Sequence, residues 1–280
     1  MPRLSMIMFM LCSLICPIVT GAAQEKSTQT LTVLSLNLQH GTALGGGYDL
    51  PGIGELLQEQ KADVLALQEV DRRHGSRSRN EDQPAVLAKM LGLPMFFGAN
   101  IGSTHGNLLF SRHGFAQVRN HLFTKAPNRR KRQGMIAATI TASERQLRIY
   151  NVQLDSASTP VRNGQFNSLV KMLREDKLPV IVCGDFGTQN KTQLKRLSSQ
   201  KELQEEKVEN ELKWSIVEQP WLISIRALKK LPRADDDIYL SPELQNAVVE
   251  VREIAPSSAK RKVLCITLDL DKIGPPPVKK

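Results

Sequence analysis

The sequence has few cysteines, no internal repeat and no linker that would divide it into separate domains. Its 280 residues therefore indicate one large domain. Two of the four cysteines, Cys12 and Cys16, lie near the N-terminus, which leaves Cys183 and Cys265 in apolar, strand-like segments. These two could pair in an oxidising compartment or remain buried free thiols. We favour free thiols, because sequence alone does not supply the geometry that a disulfide requires.

Long apolar runs are also scarce, and the chain has one, at its N-terminus. Arg3 precedes an apolar stretch over residues 4–19, and small residues follow at 20–23. This order predicts a cleaved signal peptide over residues 1–23 and a secreted or periplasmic mature protein. A membrane anchor is the alternative, but the run is short and contains Pro17. No later segment is long and apolar enough to cross a bilayer, and we expect a monomer.

Acidic residues are outnumbered by basic ones. Only Arg3 is charged within residues 1–23, so the remaining chain has 37 Lys and Arg against 28 Asp and Glu, a net charge of +9. This sign favours anionic partners such as phosphates, nucleic acid or lipid head groups, although a basic protein can also bind none of them. Residues 125–132 hold five cations without an aromatic residue among them. They form either a solvated loop or a phosphate-contacting loop, not a stacking platform for single-stranded nucleic acid.

Apolar patterning predicts about ten strands with a few helices between them. The predicted strands are 31–37, 63–70, 94–101, 107–111, 116–123, 135–141, 146–154, 179–183, 238–240, 247–254 and 263–270. The predicted helices are 51–60, 82–91, 161–175 and a polar surface helix over 191–211. Hairpins mixed with helices indicate an α/β (α+β) domain in which two packed sheets are flanked by helices.

Three polar residues stand where predicted strands end. Asn37 closes the first strand, Glu69 lies near the end of the second, and Asp185 follows a buried strand after Gly184. Strand ends present side chains to a cleft, and amide and carboxylate oxygens are the ligands that Mg²⁺ or Mn²⁺ prefers. Each residue alone is most simply a solvated strand end. Their combination indicates a metal site.

Short motifs in a fixed order strengthen this interpretation. They are 37–41 (NLQHG), 66–72 (ALQEVDR), 82–83 (DQ), 106–112 (GNLLFSR), 132–134 (RQG), 151–155 (NVQLD), 162–165 (RNGQ), 184–186 (GDF) and 236–241 (DDIYLS). Together they resemble the endonuclease/exonuclease/phosphatase superfamily of metal-dependent phosphoesterases. The resemblance implies a deoxyribonuclease-like, four-layer α/β/β/α sandwich of two mixed sheets over residues 31–271. Residues 24–30 and 272–280 would be a flexible N-terminus and tail.

The resemblance also implies roles for individual residues. Glu69 would be the main metal ligand, with Asn37 beside it, and the ion would be Mg²⁺ or Mn²⁺. Asp185 would orient or activate the attacking water. Asp236 matches an aspartate that helps to hold a catalytic histidine in the family.

Several positions depart from the family pattern. Gln153 replaces a histidine that contacts the phosphate or leaving group, and Gly187 replaces an asparagine. The family's closing Asp-His pair is replaced by Ala259 and Lys260. Gln153 donates a hydrogen bond but carries no charge. Lys260 could pair with Asp236 or bind a phosphate as a point charge, and it would be a poor base.

Two functional hypotheses follow. In the first, the protein is a catalytically impaired phosphoesterase scaffold that binds phosphate-containing or other anionic ligands, or a protein partner. In the second, it is an active Mg²⁺- or Mn²⁺-dependent phosphodiesterase or phosphatase, with nucleic acid among its candidate substrates. General acid–base catalysis contributes about 10²–10⁴-fold per group, so losses at both histidine positions favour the first.

Overall fold

A computed structural model of the chain describes residues 29–125, 132–187, 222–232 and 234–275. The predicted signal peptide, the predicted helix over 191–211 and the centre of the basic stretch lie outside these ranges. Most of the predicted N-terminal segment and part of the predicted tail lie outside them as well. The first strand begins at Thr30, one residue before its predicted start.

Twelve strands in the described ranges form two six-stranded mixed sheets. In spatial order, sheet 1 contains β11 (Val248–Ile254), β12 (Val263–Asp269), β1 (Thr30–Asn37), β2 (Val64–Asp71), β4 (His105–Ser111) and β3 (Met95–Ile101). Sheet 2 contains β5 (Gln117–Leu122), β6 (Gly134–Ala142), β7 (Arg145–Gln153), β8 (Val180–Asp185), β10 (Asp236–Leu240) and β9 (Ile223–Ser224). The pairs β1–β2 and β7–β8 are parallel, and the remaining pairs are antiparallel.

The described helices connect the strands. They are α1 (Leu50–Glu59), α2 (Gln83–Leu91), α3 (Thr159–Glu175), α4 (Ile225–Leu228) and the 3₁₀ turns Gln39–Gly41, Ser76–Ser78, Pro242–Ala247 and Leu270–Lys272. Asp49 and Asp82 cap α1 and α2 by accepting hydrogen bonds from Gly52 and Ala85. Among the residues described, no helix combines the length and apolarity that a bilayer span needs.

Apolar side chains divide among three cores, because successive strand residues point to opposite faces of a sheet. In β1, Leu31 and Val33 lie in the core between the sheets, whereas Leu34 and Leu36 lie in the core beneath α1 and α2. A third core joins the outer face of sheet 2 to α3. The order is therefore helices, sheet, sheet, helix, which confirms the predicted four-layer α/β/β/α sandwich.

The two cysteines of the described chain are buried free thiols, as predicted. Cys183 lies in the core between the sheets, and Cys265 lies in the core beneath α1 and α2. Burial raises the pKa of both thiols, so neither is a reactive thiolate near neutral pH.

Strand β4 passes its neighbour β3 so closely that Gly106 has no room for a side chain. A Cβ at Gly106 would lie 2.0 Å from the carbonyl oxygen of Gly98, whereas a Cβ at Gly45 would have no neighbour within 4 Å. We predict that Gly106→Ala lowers the free energy of unfolding by about 2 kcal/mol, because the strands must separate. Urea denaturation with Gly45→Ala as the control measures this. Equal midpoints for the two variants would contradict it.

Candidate active site

Polar side chains of both sheets meet at one end of the space between the sheets. In β1, Asn37 continues the alternation that places Val33 in the core between the sheets, and in β8 Asp185 continues that of Cys183. Both side chains are therefore directed toward the opposite sheet. The Nδ2 atom of Asn37 donates a hydrogen bond of 2.6 Å to Oδ2 of Asp185.

Asp185 is a buried carboxylate with an organised environment. The backbone N–H of Gly187 donates to its Oδ1 at 2.8 Å. Gly187 has a φ of 64° and its Cβ would lie 3.0 Å from the Cα of Ser156, so glycine suits this turn where the family has asparagine. Burial raises the pKa of Asp185, and the hydrogen bonds from Gly187 and Asn37 oppose that rise only in part.

Glu69 reaches the site through a β-bulge. Gln68 and Glu69 together oppose Asn107 in the pairing of β2 with β4, and Glu69 has a left-handed φ of 55°. Strict alternation would direct Glu69 toward the helices, because Leu67 faces them. The bulge inserts one residue and redirects the side chain, and a left-handed φ at a non-glycine residue is a strain typical of functional sites.

Gln153 holds Glu69 from the opposite sheet. Its Nε2 atom donates to Oε1 of Glu69 at 2.8 Å. Gln153 pairs with Asp185 in the parallel register of β7 and β8, so it links the glutamate to the aspartate side of the site. Its buried Oε1 has no hydrogen-bond partner among the described residues. The glutamine at a family histidine position therefore positions a carboxylate and leaves an acceptor free.

Asp236 completes the carboxyl cluster. It is paired with Asp185 in the antiparallel register of β8 and β10. Burial, followed by the charge of Asp185, raises the pKa of Asp236 to about 8. One of its oxygens, Oδ1, lacks a hydrogen-bond partner in the described ranges. Two buried carboxyl groups so close to each other favour a shared proton or a neighbouring cation.

The cation beside Asp236 is Arg261, whereas the sequence pattern assigned that place to Lys260. The Nη1 atom of Arg261 lies 3.7 Å from Oδ2 of Asp236 and 3.5 Å from Oδ2 of Asp235. Burial alone would lower the pKa of Arg261. The negative charges of Asp236, Asp185 and Asp235 outweigh burial and raise that pKa. Lys260 is an exposed residue.

A histidine and aspartate network supports Glu69 from behind. The Nε2 atom of His40 lies 3.3 Å from Oε2 of Glu69, and its Nδ1 lies 3.5 Å from Oδ1 of Asp71. The fully buried Asp71 also contacts Nδ1 of His105 at 2.8 Å, and Arg77 donates to both its oxygens at 2.8 Å. Burial raises the pKa of Asp71, but the bonds from His105, His40 and Arg77 hold that pKa well below its usual range.

Two groups in the described ranges offer metal ligands. His40, Asp71 and His105 bring ligand atoms within 4.8 Å of one another. Arg77 already neutralises Asp71, however, and its Nη2 lies 3.4 Å from Nδ1 of His105, where it would oppose a second cation. Asp71, His105 and Arg77 therefore more plainly hold His40 in place than form a metal site.

The oxygen-rich group at the end of the sheets fits a hard divalent cation. Asn37, Glu69 and Asp185 offer amide and carboxylate oxygens, and the charge of Glu69 contributes to raising the pKa of Asp185. A bound cation would relieve that repulsion. The donor types suit Mg²⁺ or Mn²⁺, and soft thiol ligands are absent from this group.

Sequence reasoning named Asn37, Glu69, Asp185, Gln153 and Asp236, and the structure brings these residues to one end of the sandwich. The sequence alone did not indicate roles for Arg261, His40 or Asp71. No local signal in the sequence identifies Arg261, because Ala259 and Val263 on either side of it lie in the core beneath α1 and α2, and alternation would place residue 261 on that side as well.

Comparisons with known proteins agree on the architecture. The Endonuclease/Exonuclease/phosphatase family matches residues 34–190, a range that contains Asn37, Glu69, Gln153 and Asp185. A comparison with curated protein sequences gives no match.

Three similar solved structures illustrate the range of relatives. An endonuclease/exonuclease/phosphatase from Beutenbergia cavernae has a TM-score of 0.67 and 17% identity, covering 90% of this chain and 73% of that one. A mannosyl-6-phosphatase from Bacteroides thetaiotaomicron has a TM-score of 0.58 and 12% identity, covering 84% and 98%. The human Nocturnin catalytic domain with a bound sulfate anion has a TM-score of 0.57 and 20% identity, covering 85% and 93%. At these identities the likeness establishes the fold.

The raised pKa of Asp236 makes stability depend on pH. The pKa of Asp236 is 3.8 in the unfolded chain and about 8 in the folded chain. Between these two pH values the folded chain therefore holds a proton that the unfolded chain has released. The stabilisation present at low pH is therefore lost as pH rises toward 8. In chelator-treated protein we predict that the free energy of unfolding falls by roughly 1 kcal/mol per pH unit between about pH 5 and pH 8.

Asp236→Asn should flatten this dependence, and Glu55→Gln on the exposed face of α1 should not. Urea denaturation at a series of pH values measures both. An Asp236→Asn slope equal to that of the unsubstituted protein would refute the assignment.

Proposed function

Because the chain belongs to the endonuclease/exonuclease/phosphatase family, we propose that it binds a divalent cation and a phosphate-containing ligand at this site, with impaired hydrolysis. Asn37 and Glu69 would hold the Mg²⁺ or Mn²⁺ ion. The observation that carries the proposal is the meeting of Asn37, Glu69 and Asp185 at one end of the sheets, with each side chain fixed by a hydrogen bond. When bound, such a cation neutralises charge on the phosphoryl oxygens and stabilises the leaving oxygen.

The residues of the chain itself account for positioning. Asp185, held by Gly187 and Asn37, accepts a hydrogen bond from the attacking water and orients it. Gln153 and His40 together restrain both oxygens of Glu69. A fixed carboxylate loses less conformational entropy when it binds its ligand, so these contacts support affinity.

The weakness lies in proton transfer. Gln153 is engaged with Glu69 and has no titratable group, and Arg261 keeps its proton near neutral pH. Each lost acid or base is worth about 10²–10⁴-fold in rate. Groups that act together are not additive, so the total loss is smaller than the product. The site would therefore bind a phosphoester well and hydrolyse it slowly.

One observation favours an active Mg²⁺- or Mn²⁺-dependent phosphodiesterase or phosphatase as the second candidate. The pKa of Asp236 is raised to about 8, so its carboxyl group would be protonated near neutral pH and available to the leaving group. Within the described part of the chain, Oδ1 of Asp236 has no hydrogen-bond partner, so this oxygen could donate its proton to the leaving group.

Charge and the N-terminal segment extend the proposal. The net charge of +10 for the whole chain favours an anionic ligand, and nucleic acid is within that class. The apolar N-terminal run supports export, so the protein would act outside the cytoplasm, in a secreted or periplasmic form. The monomeric state stays a prediction.

The decisive variant is Glu69→Ala, with the exposed Glu55→Ala as a matched control. We predict that Glu69→Ala weakens Mn²⁺ binding at least roughly 100-fold by calorimetry, which is the upper range for residues that merely support a ligand. Hydrolysis of an aryl phosphodiester, an aryl phosphomonoester and plasmid DNA is measured in parallel with Mg²⁺ or Mn²⁺.

The proposal expects little difference in hydrolysis between Glu69→Ala and the unsubstituted protein. Turnover that requires both the metal and Glu69 would instead select the active hydrolase. Equal Mn²⁺ affinity in the two proteins would contradict both candidates.

A further inference from the structure

The guanidinium of Arg261 faces the carboxyl cluster without being saturated by it. Its Nη1 atom lies 3.5 Å and 3.7 Å from oxygens of Asp235 and Asp236. Charge-assisted hydrogen bonds are normally about 2.7–2.9 Å, so these contacts are long. A guanidinium carries five N–H donors in a planar fork, which leaves donors for a ligand. The side chain is 30% exposed, so a ligand entering from solvent can reach it.

The local chain fixes this orientation. Ala259 is buried beneath α1 and α2, and the chain then bends at Lys260 and Arg261, which leaves Lys260 exposed and Arg261 partly buried. The segment is tied to the loop over residues 41–47, which contains four glycines, because the N–H of Lys260 donates to the carbonyl of Thr42 at 3.0 Å. Arg261 is therefore turned toward the site and Lys260 toward solvent.

The charge of Arg261 offsets the negative charge of the neighbouring carboxyl groups. Asp185, Asp235 and Asp236 are three carboxyl groups whose charges act on Arg261. An anion entering beside them is repelled unless cations offset that charge. A divalent ion held by Asn37 and Glu69 would offset that charge on one side of the site, and Arg261 offsets it beside Asp236.

We propose that Arg261 binds the non-bridging oxygens of the phosphoryl group and makes the site selective for phosphate-containing ligands. Arginine matches phosphate geometry with two parallel N–H donors, which neither the family's histidine nor a lysine does. Arg261 supplies charge and shape but no proton, in keeping with a site that binds better than it hydrolyses. This inference rests on the proposed function, because the phosphoryl group must first occupy the site.

The test measures inorganic phosphate binding by calorimetry, with the full chain in saturating Mg²⁺ at pH 7.5. We predict that Arg261→Gln weakens binding roughly 10- to 100-fold, the value of a lost charged hydrogen bond. Arg261→Lys should recover part of the loss, because it restores the charge without the fork. The matched control is Lys260→Gln, which removes an equal charge from the next residue and should change affinity less than about twofold, as expected for an exposed charge.

Thermal unfolding of each variant shows whether weaker binding comes from a lost contact or from a destabilised fold. If Arg261→Gln is unstable, Arg261→Lys still keeps a cation beside Asp236. Equal affinity in Arg261→Gln and the unsubstituted protein would overturn the inference while leaving the proposed function intact. A loss confined to Lys260→Gln would assign phosphate binding to Lys260 instead. Failure of the unsubstituted protein to bind phosphate would contradict the proposed function, and this inference with it.

Discussion

The hydrogen bond from Asn37 to Asp185 is the contact on which the site depends, because it joins the ends of the two sheets. A buried carboxylate is costly unless polar partners hold it, and Asp185 obtains them from Asn37 and from the backbone of Gly187. The hydrogen bond from Gln153 to Glu69 also joins the two sheets at this end. Glu69, Gln153 and Asp236 can then face a common space.

Much of this arrangement could be predicted from alternation along the strands. Asn37, Asp185 and Gln153 continue the two-residue alternation of the inward-facing apolar residues that precede them. The same alternation predicts the two packed sheets. Glu69 breaks it, because a bulge redirects its side chain. A bulge depends on pairing with another strand, which no local pattern shows. The motif by position indicates Lys260, whereas the bend at residues 260 and 261 brings Arg261 to Asp236.

The residues around Glu69 show how the chain holds this carboxylate on a strained backbone. His40 and Glu69 both have left-handed backbone angles, and their side chains lie 3.3 Å apart. Asp71 anchors His40, while Arg77 and His105 keep Asp71 ionised. The proposed binding geometry is thus held by the buried Asp71 and its partners, whereas the two histidine positions of the family pattern hold Gln153 and Lys260, and Arg261 lies beside Asp236. This division explains why ligand binding and efficient turnover separate in the proposed function.

Anomalous scattering from a crystal of the protein soaked in Mn²⁺ would locate the proposed metal site. We expect a peak at the Asn37–Glu69 end of the sheets, within about 2.0–2.3 Å of a Glu69 oxygen, as expected for a small divalent ion. A peak among His40, Asp71 and His105 instead, or none near Glu69, would contradict it.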